Sequence, residues 1–205
     1  MYPDCWKEYC DFLRGKNKDK FYAAGWSIAK ANRFSARYRM AVSFEAAIFS
    51  NEISKKTATS FSHVLATVLS QMALEAAIVL NKKDIGTYKM TCQECAELFK
   101  SSKMNTTLIN TLMSNIKKYN PDDSKKSTIE EGLDNLVSGN SSDVWCIARA
   151  IRNSFAHGDM TSHGAGVAQC KIMRKFFIKL KDVLINHCNL EMAFGLKQCK
   201  INYLK

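Results

Sequence analysis

The chain is poor in residues that interrupt regular structure. Its 205 residues include only two prolines and nine glycines. Sheets joined by tight turns need more of both, so the composition points away from strands and towards helices. The opening Met1-Tyr2-Pro3-Asp4-Cys5-Trp6-Lys7-Glu8 lacks the apolar core of a signal peptide, and no leader is expected. A membrane span needs a run of about 18 or more apolar residues. The best stretch, Val64 to Leu80, is interrupted by Thr67, Ser70, Gln71 and Glu75, so no span is expected. There are four histidines and one C-x-x-C pair, Cys92 and Cys95, with no second ligand pair at zinc spacing. No metal or cofactor is therefore expected. Repeats and low-complexity stretches are absent as well.

Hydrophobic residues make up 46% of the chain, which rules out a disordered protein. The length suits one domain over residues 1–205. Residues 1–20 are expected to form an N-terminal helix and basic loop, and residues 191–205 a C-terminal extension of unassigned structure. Eight cysteines without a secretory signal suggest reduced thiols and a cytoplasmic protein. Cys92 and Cys95 are expected to be structural, with metal and redox roles as the alternatives.

The net charge of +11 is unevenly placed. Residues 1–39 hold nine Lys and Arg against four acids, residues 171–205 hold eight against two, and residues 40–170 hold thirteen of each. A neutral centre between basic ends suits a polyanion, nucleic acid first and an acidic membrane surface second. Solubility alone is the plainer account of the same charge.

Helical periodicity covers most of the chain. A short amphipathic helix is expected over 4–14, with Trp6, Tyr9, Cys10 and Leu13 on one side, followed by a solvated loop from Arg14 to Lys20. Helix is expected from about Phe21 to Ile53, with a break near Gly25 and with Phe34, Tyr38, Ala41 and Ile48 at helical spacing. Ser54 to Thr57 reads as a turn. The next helix, Ser60 to Leu80, carries a seam of Phe61, Leu65, Val68, Met72 and Val79. Glu75 stands on that seam, where a carboxylate is costly unless it is paired. Either the helix tilts and Glu75 reaches water at the rim, or it meets an arginine, with Arg152 the natural candidate.

Thr91-Cys92-Gln93-Glu94 reads as a capping box opening a helix to about Lys100. Another helix is expected over Asn105–Tyr119, with Leu108, Leu112, Met113 and Ile116 inward, followed by a polar linker to Ser127. Thr128-Ile129-Glu130-Glu131 reads as a second capping box, its helix ending at Ser138-Gly139-Asn140. The next helix starts at Ser141 or Ser142, with Asp143 at its positive end. It runs through Val144, Ile147 and Ile151 to His157-Gly158. A long helix is expected over about Val167 to Asn189. Met173, Phe176, Phe177, Leu180 and Leu184 form its apolar stripe, and Lys171, Arg174, Lys175, Lys179 and Lys181 its basic remainder. His187 reads as a satisfied core histidine, His63 as a surface one, and His163 as an ordinary loop residue or a second proton-transfer group. The fold expected is an all-α helical bundle with no sheet.

Chemistry concentrates at Arg152-Asn153-Ser154-Phe155-Ala156-His157. Asn153 and His157 are four apart and share one helical face. The long Arg152 side chain can swing towards them. Gly158 suits a helix C-terminus that needs positive φ. Imidazole takes and gives protons, and a guanidinium holds phosphate and stabilises charge developing on it. RNA carries its own nucleophile in the 2′-OH, so these groups suffice for cleavage without a metal.

This segment resembles the HEPN superfamily of helical bundles, whose signature is R-x(4–6)-H. Here four residues separate Arg152 from His157. The polar residue after the arginine, Asn153, is also typical of the family, as is a final long helix. In architecture the resemblance spans about residues 60 to 190. It implies an endoribonuclease, often a toxin or antiviral effector, that leaves 2′,3′-cyclic phosphate and 5′-OH ends. By the same resemblance His157 acts as acid or base, Arg152 binds the phosphate, and Asn153 orients His157 or the phosphate. A homodimer would bring two motifs into one cleft, and an antitoxin or regulatory partner would be expected. RNA is the expected partner, with Arg149, Lys171, Arg174 and Lys175 as further contacts. Some family toxins carry a modifiable tyrosine two residues after the histidine. Asp159 stands there, so the resemblance does not extend to that mode of neutralisation. Family members without nuclease activity leave a second reading open, a non-catalytic RNA, nucleotide or protein-binding module.

Overall fold

The computed structural model describes residues 1–14, 17–23, 25–49, 53–101, 105–119, 127–160, 165–167 and 170–201. These residues form an all-α bundle with no strands or sheet, in the order α1 (Trp6–Arg14), α2 (Lys18–Ala23), α3 (Ile28–Ser43), α4 (Lys55–Leu80), α5 (Gln93–Lys100), α6 (Asn105–Tyr119), α7 (Thr128–Val137), α8 (Trp145–Ala156) and α9 (Lys171–Ile201). A single bridge joins Thr91 to Asp143.

The bundle is built on α4. Its main neighbours are α3 and α9, and α8 packs on it as well. Among the described residues, α4 alone is long and apolar enough to cross a membrane, with a stretch of mean hydropathy 1.6 that is 67% buried within the bundle. Its buried face differs from the expected seam. Ser60, Val64, Thr67, Gln71, Leu74 and Ile78 face the core, whereas Val79 is exposed and Phe61, Leu65 and Met72 are only half-buried. The reason lies in the hydroxyls. Ser60, Ser62, Thr67 and Ser70 each donate to the carbonyl four residues back, at 2.8 to 3.0 Å. Bonded within their own helix, they are small enough to let neighbouring helices approach closely. Thr67 Oγ1 also reaches the carbonyl of Phe177 in α9, at 3.3 Å.

Several expected boundaries shift. Lys18 to Lys20 open α2 rather than completing a loop, and α3 stops at Ser43, leaving Ile48 almost fully exposed. α4 begins at Lys55, where Ser54 Oγ accepts from the Thr57 N–H at 3.1 Å, so the expected turn is its cap. Both capping boxes move by one residue. Cys92 Sγ caps α5 and Ser127 Oγ caps α7. α8 starts at Trp145, beyond the expected serines, and α9 starts at Lys171 and runs on to Ile201. The linker residues 120–126 and His163 lie outside the described residues.

α9 continues past Asn189 because it gains contacts there. Asn81 Nδ2 donates to the Glu191 carboxylate at 2.7 Å and to its carbonyl at 2.8 Å, and Lys83 Nζ reaches the same side chain at 2.8 Å. Tyr88 Oη bridges Glu191 and His187, at 3.1 and 3.0 Å. Gly195 lets α9 close on the turn before α3. A Cβ there would stand 2.1 Å from Trp26 Cζ2 and 2.1 Å from Asn81 Oδ1. His63 is half-buried rather than superficial, and burial lowers its pKa, with Arg174 and Lys181 adding to the effect.

Candidate functional site

The site is assembled on α8, whose inner face is a continuous apolar strip. Trp145, Ile147, Ala148, Ala150 and Ile151 are all buried. Trp145 Nε1 donates to the Ile85 carbonyl at 3.0 Å, fixing the helix's rotation. Val144 at the N-cap offers no side-chain acceptor, and Asp143 takes its place. Asp143 Oδ1 accepts from the Trp145 and Met90 N–H groups, each at 3.0 Å. At the other end the Phe155 ring meets Phe61 of α4, centroids 5.7 Å apart. Held in this way, α8 leaves Arg149, Arg152 and Asn153 on its half-exposed side.

The helix ends in a Schellman turn. The Gly158 N–H donates to the Phe155 carbonyl at 3.0 Å and the Asp159 N–H to the Ser154 carbonyl at 2.9 Å. Gly158 has φ +74°, the left-handed value such a turn needs. His157 is the C-cap residue, with an exposed side chain. Asp159 pairs with Lys118 of α6 at 3.1 Å, which ties the turn to the next helix.

Arg152 lies between two acceptors. Its Nη1 donates to Asn153 Oδ1 at 3.0 Å, and its Nη2 stands 3.7 Å from Glu75 Oε2. Gln71 Nε2 holds the other carboxylate oxygen at 2.7 Å. Glu75 thus meets Arg152, and it does so at the rim of the bundle, where the arginine side chain is 39% exposed and the carboxylate 16%. A chain of contacts runs Gln71–Glu75–Arg152–Asn153. It fixes the guanidinium and leaves part of it open to solvent.

Two hollows flank this chain. One, of about 250 Å³, is lined by Asn153, Ser154 and His157 of α8, Asn115 and Ile116 of α6, and Ser127 and Ile129 at the start of α7. The other, of about 230 Å³, is lined by Glu75 itself, by Lys30, Arg33 and Arg37 of α3, and by Ala76, Val79 and Ile85. Lys30, Arg33 and Arg37 recur at one-face spacing along α3, a pattern visible in the sequence. Only the packing of α3 on α4 brings them to Glu75. Asn115 also left a sequence signal, a polar residue on the stripe of Leu108 and Leu112.

The other expected contacts lie on α8 and α9. Arg149 Nη1 lies 3.5 Å from the Gly86 carbonyl and 3.3 Å from Thr128 Oγ1, and burial lowers its pKa. Lys171 and Lys175 are exposed on α9, and Arg174 is half-buried beside His63. α9 packs mainly on α4 and α5. Cys92 and Cys95 are joined through the α5 cap, and burial raises the pKa of the Cys95 thiol. Among the described residues no group of three or more His, Cys, Asp or Glu side chains has a metal-binding arrangement.

Comparison with known proteins gives no family model that matches the chain, no matching curated protein and no matching solved structure.

Proposed function

We propose that the chain is a metal-independent endoribonuclease of the HEPN type, active as a homodimer. The observation that carries the reading is the Arg152 guanidinium, fixed by Glu75 and Asn153 and partly exposed, five residues before the exposed His157 on the same helix end. In this mechanism His157 removes the proton from a ribose 2′-OH. The freed oxygen attacks the adjacent phosphorus, and the bond to the 5′-oxygen breaks. That oxygen leaves as a 5′-OH after taking a proton from a histidine, the second copy's in a dimer cleft. The product on the other side is a 2′,3′-cyclic phosphate. Arg152 binds the phosphate and offsets the charge that builds on its oxygens. Asn153 holds Arg152 through Oδ1 and leaves its amide N–H groups for the substrate.

Lys30, Arg33 and Arg37 extend this anion site along α3 and suit the backbone of a single RNA strand. A cytoplasmic toxin or antiviral effector, restrained by an antitoxin or regulatory partner, is the biological role that fits such an activity.

The test is cleavage of single-stranded RNA by purified protein in EDTA. Wild type should cut and leave cyclic phosphate ends, and His157→Ala and Arg152→Ala should not. Equal cleavage by wild type and His157→Ala would sink the reading. The ion pair between Arg152 and Glu75 favours one second reading. An arginine already partly neutralised suits a binding module that retains RNA without cutting it. Salt-sensitive RNA retention with no cleavage would establish that alternative.

A further inference from the structure

We propose that the hollow between α3 and α4 seats the two phosphates next to the scissile one on a single RNA strand, so that strands of about four or more nucleotides bind far more tightly than a dinucleotide. The inference rests on the ribonuclease reading for its ligand. It deepens that reading from a general attraction for RNA to a subsite with a counted occupancy. It starts from the charge on α3, which carries Lys30, Arg33, Arg37 and Arg39 and no acid. Arg39 is engaged by the Tyr2 ring, 4.6 Å away. The other three line the hollow, with Lys30 and Arg33 exposed and Arg37 half-buried. Among the described residues none of the three forms an ion pair with a carboxylate. Single unpaired cations are ordinary on a surface. Three around one concavity sum their potentials and draw in a polyanion.

The hollow adjoins Arg152 through a single side chain. Glu75 lines it, and its Oε2 stands 3.7 Å from Arg152 Nη2. Arg149, one turn earlier on α8, lies in the field of Glu75, Asp84 and Arg152. Five cations thus gather around two carboxylates, a surplus of three positive charges. Glu75 does not cancel the charge of α3, because Arg152 and Gln71 already engage it. A strand whose scissile phosphate lies at Arg152 therefore meets the α3 cations with its next phosphates. Lys30 to Arg37 spans about 10 Å of helix axis, at about 1.5 Å per residue. That length suits two successive phosphates of an extended strand and exceeds what one free phosphate would use. Ala76, Val79 and Ile85 add an apolar floor for sugar and base faces. At about 230 Å³ the hollow admits one strand and excludes the width of a duplex.

The experiment counts phosphate contacts. The probes are a 2′-O-methyl oligonucleotide of about eight nucleotides, which lacks the 2′-OH and stays uncut, and a dinucleotide of the same chemistry. Binding is followed by fluorescence anisotropy between about 50 and 200 mM salt. One variant carries Lys30→Gln, Arg33→Gln and Arg37→Gln. A control carries Lys7→Gln, Lys18→Gln and Lys197→Gln, three exposed lysines on other helices, and so has the same net charge. Each phosphate contact on a single strand contributes about 0.7 to the salt slope of log K, so the α3 variant should lose about 1.4 of slope on the longer probe. Its affinity for that probe should fall at least about tenfold at the low-salt end. It should bind the two probes alike, whereas wild type favours the longer, and the control should keep the wild-type slope. A partly unfolded variant would lose apparent affinity but keep its slope, so the slope decides. An unchanged slope in the α3 variant overturns the proposal. Equal losses of slope in both variants overturn it too, since net charge alone would then be at work. Displacement of the oligonucleotide by polyglutamate of equal charge, as readily as by RNA, would reassign the surface to acidic proteins and overturn it as well. The nuclease reading fails separately. The expected slopes without cleavage of RNA leave the subsite standing, and cleavage with slopes indifferent to α3 leaves the nuclease standing.

Discussion

Replacing Gly158 with alanine isolates the turn that presents His157. Gly158 has φ +74°, and an added Cβ would meet nothing within 4 Å. The change therefore introduces no clash, and its whole effect lies in the backbone dihedral. Holding an L-residue in the left-handed region costs about 1–2 kcal/mol. Alanine also narrows the unfolded ensemble, which returns about 0.4–1 kcal/mol. The net loss is about 1 kcal/mol, or about 2–4 °C of melting temperature in a chain of this size. Asparagine tolerates the left-handed region better, so Gly158→Asn should lose less than half as much. The assay is thermal melting by circular dichroism, with both variants beside wild type. The order wild type, Asn, Ala is expected. A Gly158→Ala protein that melts at or above the wild-type temperature would refute the argument, since the turn would then have no need of positive φ.

Glu75→Gln keeps the bond to Gln71 within reach but removes the charge facing Arg152. At 3.7 Å the Coulomb attraction is about 4 kcal/mol with an effective dielectric of 20 and about 1 in water, and partial exposure leaves a net loss of about 1 kcal/mol. In the proposed ribonuclease, turnover on RNA should fall about tenfold as the guanidinium loses its fixed position, and unchanged turnover would count against a positioning role. Gly195→Ala should destabilise by about 1–3 kcal/mol, read by urea unfolding, because its Cβ would overlap Trp26 and Asn81. Burial lowers the His63 pKa below its ordinary value. The unfolded chain then takes up the proton first, so stability present at neutral pH is lost as pH falls below about 6.5. His63→Gln should flatten the decline in urea midpoint between about pH 7.5 and 5.5, and an identical decline would show that another group carries it.

Parts of this structure are legible in the sequence for identifiable reasons. α6 has the expected bounds, and the apolar stripe of α9 is buried as its spacing implies. The end of α8 is marked by a glycine that the turn requires. Glu75 stands out in the sequence because a carboxylate on an apolar seam needs a partner, and it lies beside Arg152. Other elements were hidden by chemistry that periodicity does not register. The core face of α4 uses serine and threonine hydroxyls bonded within their own helix, so a count of apolar residues picks the neighbouring face. The caps slip by one because Ser127 and Thr128 are adjacent hydroxyls, and because a cysteine performs the capping of α5. Gly195 lies in the stretch left unassigned, and it is the residue that lets α9 pass Trp26. Neither hollow beside the motif was legible, since each joins residues from helices far apart in sequence.

The attachment of α6 and α7 has its own consequence. These helices pack mainly on α8 and on each other, while α3, α4 and α9 hold together without them. Their opening should therefore be a sub-global event, with a free energy below that of complete unfolding. Native-state amide exchange should separate the two groups, with α6 and α7 exchanging first and α4 last. Asn115, Ser127 and Ile129 belong to the earlier-opening group, whereas Asn153 and His157 are anchored to the slower one. One wall of the hollow thus belongs to a part of the molecule that can part from the rest, and an occupant bridging both would slow exchange throughout α6 and α7.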